Sequence, residues 1–188
     1  MGVFFAEDEL AVIRAACGRL IPADEDPGAA EAGAAEYIDG LLGAFSFEPP
    51  RIWAGGPFSG RHGGEAGFST FLPLGRLEEL AWRTRIEGSL GHPEREFNGP
   101  VVGWQQRYRA GLAALGADFG TVSEAEQDHR LADAANREFV NLLYEHTCEG
   151  MYGAPEYGGN RDLVGWRYIG FEGDVQPRGF TDAEVSQP

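Results

Sequence analysis

The chain has 188 residues, of which 30 are acidic and 15 are basic, so its formal net charge is −15. A charge of this sign repels nucleic-acid phosphates and anionic lipid surfaces, which argues against nucleic acid as a partner. A hydrophobic content of 43% argues against disorder, and no apolar run approaches the ~20 residues that a membrane-spanning helix needs. The length fits one domain, residues 1–188.

Two amphipathic helices are predicted at the N-terminus. The first covers residues 6–20, since acids fill its first turn and apolar residues recur at helical spacing from Leu10. A proline-punctuated acidic loop follows, and the second helix is predicted over residues 29–45 with Tyr37 and Leu41 on its apolar face. The two helices are expected to pack antiparallel.

The middle of the chain alternates irregular stretches with helices. Residues 46–67 are rich in glycine and proline and predict a long loop that carries Trp53, Phe58 and His62. A third helix is predicted over residues 74–87, an irregular stretch over 88–99, and a fourth helix over 100–115.

A fifth helix is predicted over residues 123–147, because Ser123 and Glu126 have the spacing of a capping box. Residues 146–173 then hold seven glycines and five aromatics, a mixture that fits neither a helix nor a regular strand. The predicted fold is therefore all-α, with about five helices, long irregular loops and an irregular C-terminal extension over 148–188. Trp166, Tyr168 and Phe171 are expected to anchor that extension by burial, within the chain or at a partner.

Two groups of residues invite a chemical interpretation. Cys17 has the register of a core residue, although a disulfide with Cys148 is possible if the chain ends meet. His146 and Glu149 place an imidazole and a carboxylate on neighbouring helical positions, but no second such motif supplies further metal ligands. Hydrogen bonding of His146 to the irregular backbone after it is the preferred interpretation. A stand-alone metal-dependent or hydrolytic enzyme that uses His146, Glu149 and His62 remains the alternative.

The sequence offers little for other chemistry or for targeting. No GxGxxG turn lies between a strand and a helix, so we expect no flavin or nucleotide site in this chain, and we assign no catalytic residues. No signal peptide precedes the first helix, so the sequence as it stands predicts a cytoplasmic protein, or an exported one if a leader has been removed.

Motifs at both ends of the chain resemble a known family. The N-terminal motif comprises residues 19–24, 28–29, 32–33 and 37–39, and the C-terminal motif comprises Glu149-Gly150, Tyr152, residues 155–160, Gly165-Trp166 and Gly170-Phe171. Together they resemble the gluconate 2-dehydrogenase subunit 3 family. No motif is recognised between residues 46 and 99.

The resemblance implies a small, non-catalytic subunit without a cofactor of its own, which binds and stabilises a larger partner and can also escort it. That partner is expected to be a glucose-methanol-choline type flavoprotein that carries FAD, oxidises a sugar or alcohol and passes electrons to an acceptor such as a cytochrome c. Exposed aromatics and arginines mark interaction surfaces. We predict that the interface with the partner, or else an internal lid, includes the segments 53–68 and 152–160. The residues assigned to the interface are Trp53, Phe58, Arg61, Tyr152, Tyr157, Asn160, Arg161 and Trp166.

Overall fold

The structure is a computed structural model that describes residues 2–56, 68 and 71–172. Its helices are α1 (Glu7–Leu20), α2 (Ala34–Leu42), α3 (Arg76–Glu87), α4 (Trp104–Leu115), α5 (Glu124–Ala132), α6 (Arg137–Tyr152) and α7 (Val164–Tyr168). Two short antiparallel strands, β1 (Trp53–Gly55) and β2 (Leu72–Pro73), pair Trp53 with Pro73 and Gly55 with Leu72. The predicted all-α class is confirmed as a mainly helical fold, but the described residues form seven helices rather than five.

One buried carboxylate of α2 binds the segment that precedes α1. The Asp39 side chain on α2 accepts hydrogen bonds from the backbone N–H groups of Val3, Phe4 and Phe5, the last two at 2.9 and 2.8 Å. Helix α1 agrees with its predicted range. Helix α2 is shorter than predicted, because Gly33 adopts a left-handed conformation (φ 80°) just before it, which interrupts helical hydrogen bonding.

Helix α4 begins later than predicted, at Trp104 rather than at residue 100. The backbone of residue 101 is used elsewhere: Ser89 N–H donates to Val101 O at 3.0 Å, and Val101 N–H donates to Ser89 Oγ at 2.7 Å. Residues 88–103 therefore form a cross-linked loop that leaves Val101 and Val102 exposed.

The predicted fifth helix is wrong as a single element, because it divides into α5 and α6 at Asp133. The Asp133 carboxylate accepts from Ala135 N–H at 2.8 Å, and Asn136 Nδ2 donates to Arg130 O at 2.8 Å. Short polar side chains that bond to nearby backbone compete with helical hydrogen bonds. At the start of α5, Ser123 Oγ accepts from Glu126 N–H at 3.3 Å, which confirms Ser123 as the N-cap.

The main core lies where α6 packs against α1, α2 and α4. Its fully buried members include Ile13, Ile38 and Leu143. Cys17 is also fully buried, as expected of a core residue, and its Sγ lies 3.3 Å from Thr147 Oγ1. Cys17 and Cys148 are both free thiols, so the possible disulfide is not formed. Within the described ranges, no helix is long and apolar enough to cross a bilayer.

Candidate functional site

The two sequence motifs meet in space along one seam. Arg161 N–H donates to Ala32 O at 2.9 Å, which joins the C-terminal motif to the turn before α2. On the same side, the Arg161 guanidinium lies 3.8 Å from Glu36 of α2. We call this contact between residues 28–39 and 149–166 the motif seam.

Asn160 is the centre of the C-terminal half of the motif seam. It is fully buried in a left-handed conformation (φ 45°), and its Nδ2 donates to Gly153 O at 3.0 Å. Its Oδ1 accepts from the backbone N–H groups of Gly165 at 3.0 Å and Trp166 at 3.4 Å. One side chain thus closes the turn between the end of α6 and the start of α7.

Glycine is required in this turn for close backbone approach. A Cβ at Gly159 would collide with Gly150 O, and a Cβ at Gly165 would collide with Met151 O. Trp166 packs over the same turn with 5% of its surface exposed, and its Nε1 donates to Tyr152 O at 2.8 Å. The predicted anchoring role of Trp166 is therefore confirmed within the chain.

The other two predicted anchors differ from Trp166. The Phe171 ring contacts Trp166 edge-on at 4.8 Å but is 43% exposed, and Tyr168 is 59% exposed. Tyr168 is thus not an internal anchor, because the short helix α7 turns it to solvent while it buries Trp166.

The described parts of the two segments predicted as interface or lid pack against each other. Trp53 stacks on Phe68 with ring centres 5.3 Å apart, and Tyr157 contacts Phe68 at 5.3 Å and Phe71 at 5.8 Å. We call these four residues the aromatic cluster. Such ring pairs stabilise the contact beyond simple area burial. This packing agrees with the lid alternative for Trp53 and Tyr157.

The remaining predicted interface residues are distributed as follows. Tyr152 is half-buried and Arg161 is exposed, so both present surface to solvent, whereas Asn160 and Trp166 are buried inside the chain. The last two therefore act through the fold and not as surface contacts in this conformation. Phe58 and Arg61 lie outside the described residues, as does His62. The assignment of an interface to the exposed members stays a prediction.

His146 makes a different contact from the predicted one. Its Nδ1 lies 2.9 Å from Tyr108 Oη, and its ring stacks parallel to that of Tyr108 and edge-on to Trp104. The predicted hydrogen bond from His146 to the irregular backbone after it is wrong, because the side chain points from α6 into the core toward α4. Burial lowers the pKa of His146 to about 4, so the ring is neutral at pH 7.

Glu149 is engaged separately from His146. Its carboxylate accepts from the Tyr37 hydroxyl at 2.9 Å, and partial burial raises its pKa above the ordinary value. In residues 2–56, 68 and 71–172, no three histidine, cysteine or acidic side chains are grouped as metal ligands would be. The described geometry thus offers no support for the alternative enzyme built on His146 and Glu149.

An exposed apolar groove lies between α3 and the segment 94–101, a feature that the sequence analysis missed. Leu77, Leu80, Phe97 and Val101 line it, and Arg85 and Arg95 lie among them. Phe97 is 95% exposed and Leu77 is 78% exposed. Leu90 and Val102, in the same loop between α3 and α4, are exposed as well. Contiguous apolar side chains that are this exposed are typical of interaction surfaces, which makes the groove a candidate site. Helical periodicity could not reveal Phe97, since it lies in an irregular loop.

The fold defines the class of the protein as a mainly helical domain. Its recognisable motifs pack against other parts of the chain, and its apolar groove faces solvent. The family model described as gluconate 2-dehydrogenase subunit 3 matches residues 7–173. The chain therefore belongs to the gluconate 2-dehydrogenase subunit 3 family, as its motifs predicted. Comparison with curated proteins and with solved structures gave no match.

Proposed function

We propose that this chain is the accessory subunit of a sugar or alcohol dehydrogenase, and that it binds and stabilises a large glucose-methanol-choline type subunit that holds FAD. The family description supports the context of a dehydrogenase complex. In this proposal the large subunit performs the oxidation and passes electrons onward, for example to a cytochrome c. The small chain contributes no cofactor.

The observation that carries the proposal is the apolar groove. Phe97 and Leu77 expose almost all of their apolar surface, which is unfavourable in water at about 25 cal/mol per Å² and becomes favourable once a partner covers it. Arginine is enriched at interface hot spots, and the exposed Arg85 lies in the same groove, whereas Arg95 is paired with Glu87 inside the chain. The half-buried Tyr152 and the exposed Arg161 are a secondary candidate contact.

The test is co-expression with the flavoprotein subunit encoded nearest to this chain, followed by affinity purification of the complex. We expect Phe97→Ser and Leu77→Ser to weaken the complex about tenfold or more, since central apolar contacts carry most of an interface's binding energy. Tyr144→Ser is the matched control, because Tyr144 is 50% exposed on α6 and does not line the groove.

All three variants should unfold at the wild-type temperature, because the changed side chains are exposed. Wild-type complex yield for both groove variants would refute the groove as the docking surface. The same purification tests the location of the cofactor. Flavin absorbance should be found only in the complex, and stoichiometric flavin in the isolated 20.4 kDa chain would contradict the accessory role.

A further inference from the structure

One side of helix α3 forms a wall of the apolar groove. The residues on it recur every three or four positions, namely Leu77, Leu80, Ala81 and Thr84. The opposite side of the helix faces the core through Ile86, which is fully buried. Since an α-helix turns by about 100° per residue, the four groove residues form one continuous stripe. A stripe with this spacing is typical of a helix that packs against another helix.

Charged residues flank this stripe in an order that reverses its sign about the middle of α3. Arg76 and Glu78 lie in the first turn of the helix, and Arg85 and Glu87 lie in the last turn. Glu78 and Arg85 are seven positions apart, so they lie on the same side of the stripe, about 10 Å apart along the helix axis. Arg76 and Glu87 are eleven positions apart and share the other side of the stripe. A second α3 that runs in the opposite direction therefore presents a charge of opposite sign at each of these positions.

Arg85 makes no ion pair within residues 2–56, 68 and 71–172. Its guanidinium lies 4.8 Å from the centre of the Trp82 ring, and its side chain is exposed. By contrast, Arg83 of the same helix binds the carboxylates of Glu79 at 2.7 Å and Glu87 at 3.2 Å. Arg85 is thus available to a carboxylate of another molecule.

We propose that two copies of this chain pair through α3, antiparallel, about a twofold axis near Ala81. The axis brings Leu77 of each copy close to Thr84 of the second copy, and Glu78 close to Arg85 of the second copy. Every contact occurs twice in such a pair, and flanking charges of this kind set the direction in which helices pair. The net charge of −15 on each copy opposes association, so we expect a weak dimer with a dissociation constant of about 10–100 µM.

The pairing covers the apolar groove, so it has a consequence for the accessory role. The large subunit must displace the second copy before it docks, and the free subunit is kept from exposing its apolar side chains to water. This consequence rests on the proposed function, whereas the pairing itself does not.

Sedimentation velocity of the isolated chain, from about 1 to 500 µM in about 0.15 M salt, measures the pairing. Arg85→Glu and Glu78→Arg should each weaken it about tenfold or more, because the twofold axis repeats every like-charge contact. The double variant that carries both changes should return to within about threefold of wild type. Net charge cannot produce this result, since Arg85→Glu makes the chain more acidic and Glu78→Arg makes it less acidic. Arg137→Glu is the matched control, because Arg137 is exposed on α6, and it should leave the pairing unchanged.

Glu78 also caps α3, because its Oε2 accepts from Gly75 N–H at 2.7 Å, so circular dichroism and the melting temperature are recorded for every variant. Leu77→Ser leaves this cap intact and should also weaken the pairing about tenfold or more. The proposal is overturned if the wild-type chain stays monomeric up to about 500 µM, if the folded double variant pairs no better than the single variants, or if Arg137→Glu weakens the pairing as much as Arg85→Glu.

The relation to the large subunit is measured separately, by light scattering of the purified complex. We expect one small chain for each large subunit, and a complex in which the α3 pairing persists would overturn the displacement. Because sedimentation uses the isolated chain, failure of the pairing leaves the proposed docking standing, and failure of the docking leaves the pairing standing.

Discussion

Replacement of Asn160 by alanine tests whether one buried amide holds the C-terminal motif in place. The change removes the donor to Gly153 O and the acceptor of the Gly165 and Trp166 N–H groups. It also places alanine in a left-handed conformation, which asparagine tolerates better than most residues.

The expected cost follows from these contacts. Each buried donor or acceptor left without a partner costs about 1–3 kcal/mol, and the two bonds of 3.0 Å count fully whereas the bond of 3.4 Å is weaker. Left-handed alanine adds about 1 kcal/mol. We therefore expect Asn160→Ala to lose about 3–5 kcal/mol of unfolding free energy, which lowers the melting temperature by roughly 6–20 °C in a domain of this size.

Chemical and thermal denaturation of two reference variants separates the cost of backbone strain from the cost of the lost hydrogen bonds. Asp162 has a similar left-handed backbone (φ 54°) but is exposed, so Asp162→Ala reports the backbone strain alone, about 1 kcal/mol. Asn160→Gly relieves the strain and loses the same hydrogen bonds, so its stability should lie between those of wild type and Asn160→Ala. If Asn160→Ala loses no more stability than Asp162→Ala, the hydrogen bonds of the amide do not stabilise the turn and the reasoning is refuted.

Two further predictions concern buried side chains. Trp166→Ala should destabilise the chain by about 3–5 kcal/mol in denaturant titrations, whereas the exposed Tyr168→Ala should stay within about 0.5 kcal/mol of wild type; equal effects would contradict the anchor assignment. The pKa of His146 is about 4 in the folded chain, against an ordinary value of 6.5. Protonation therefore favours the unfolded chain, and about 3 kcal/mol of unfolding free energy is lost as the pH falls from 6.5 to 4. In urea titrations, the unfolding free energy of His146→Gln should fall less between pH 7 and pH 4.5 than that of wild type. If both chains show the same pH dependence, His146 is not a buried neutral imidazole.

The sequence predicted the elements whose signals are local. Helix α1 was predicted well because its acidic first turn and its apolar spacing agree, and α3 ends at Glu87 as predicted. The break at Asp133 was not predicted, because an acid inside an otherwise amphipathic pattern is common on exposed helix faces. Only the observed bond from its carboxylate to Ala135 N–H shows that Asp133 caps a new turn.

The site was less predictable than the fold, because aromatics report burial without reporting their contacts. Trp53 and Tyr157 are about a hundred positions apart, and nothing in their local sequence indicates that both contact Phe68. The interface prediction relied on the assumption that aromatics in irregular segments are exposed. That assumption fails for Trp166, which is 5% exposed, and holds for Phe97, which the sequence analysis did not select.

The motif seam, near the two ends of the chain, supports its folding, whereas the apolar groove, in the middle of the chain, is the proposed docking surface. The recognisable motifs supply Asn160, Trp166 and the turn before α2, all of which bind other parts of the same chain. Partner recognition by the groove would instead depend on Leu77 and Phe97, outside those motifs. It follows that seam variants should lower complex yield only in proportion to the loss of folded chain, whereas groove variants should lower it while the chain stays folded. Measuring the folded fraction and the complex yield for Asn160→Ala and Phe97→Ser together distinguishes these two origins. A seam variant that stays fully folded yet loses the partner would place the interface on the motifs themselves.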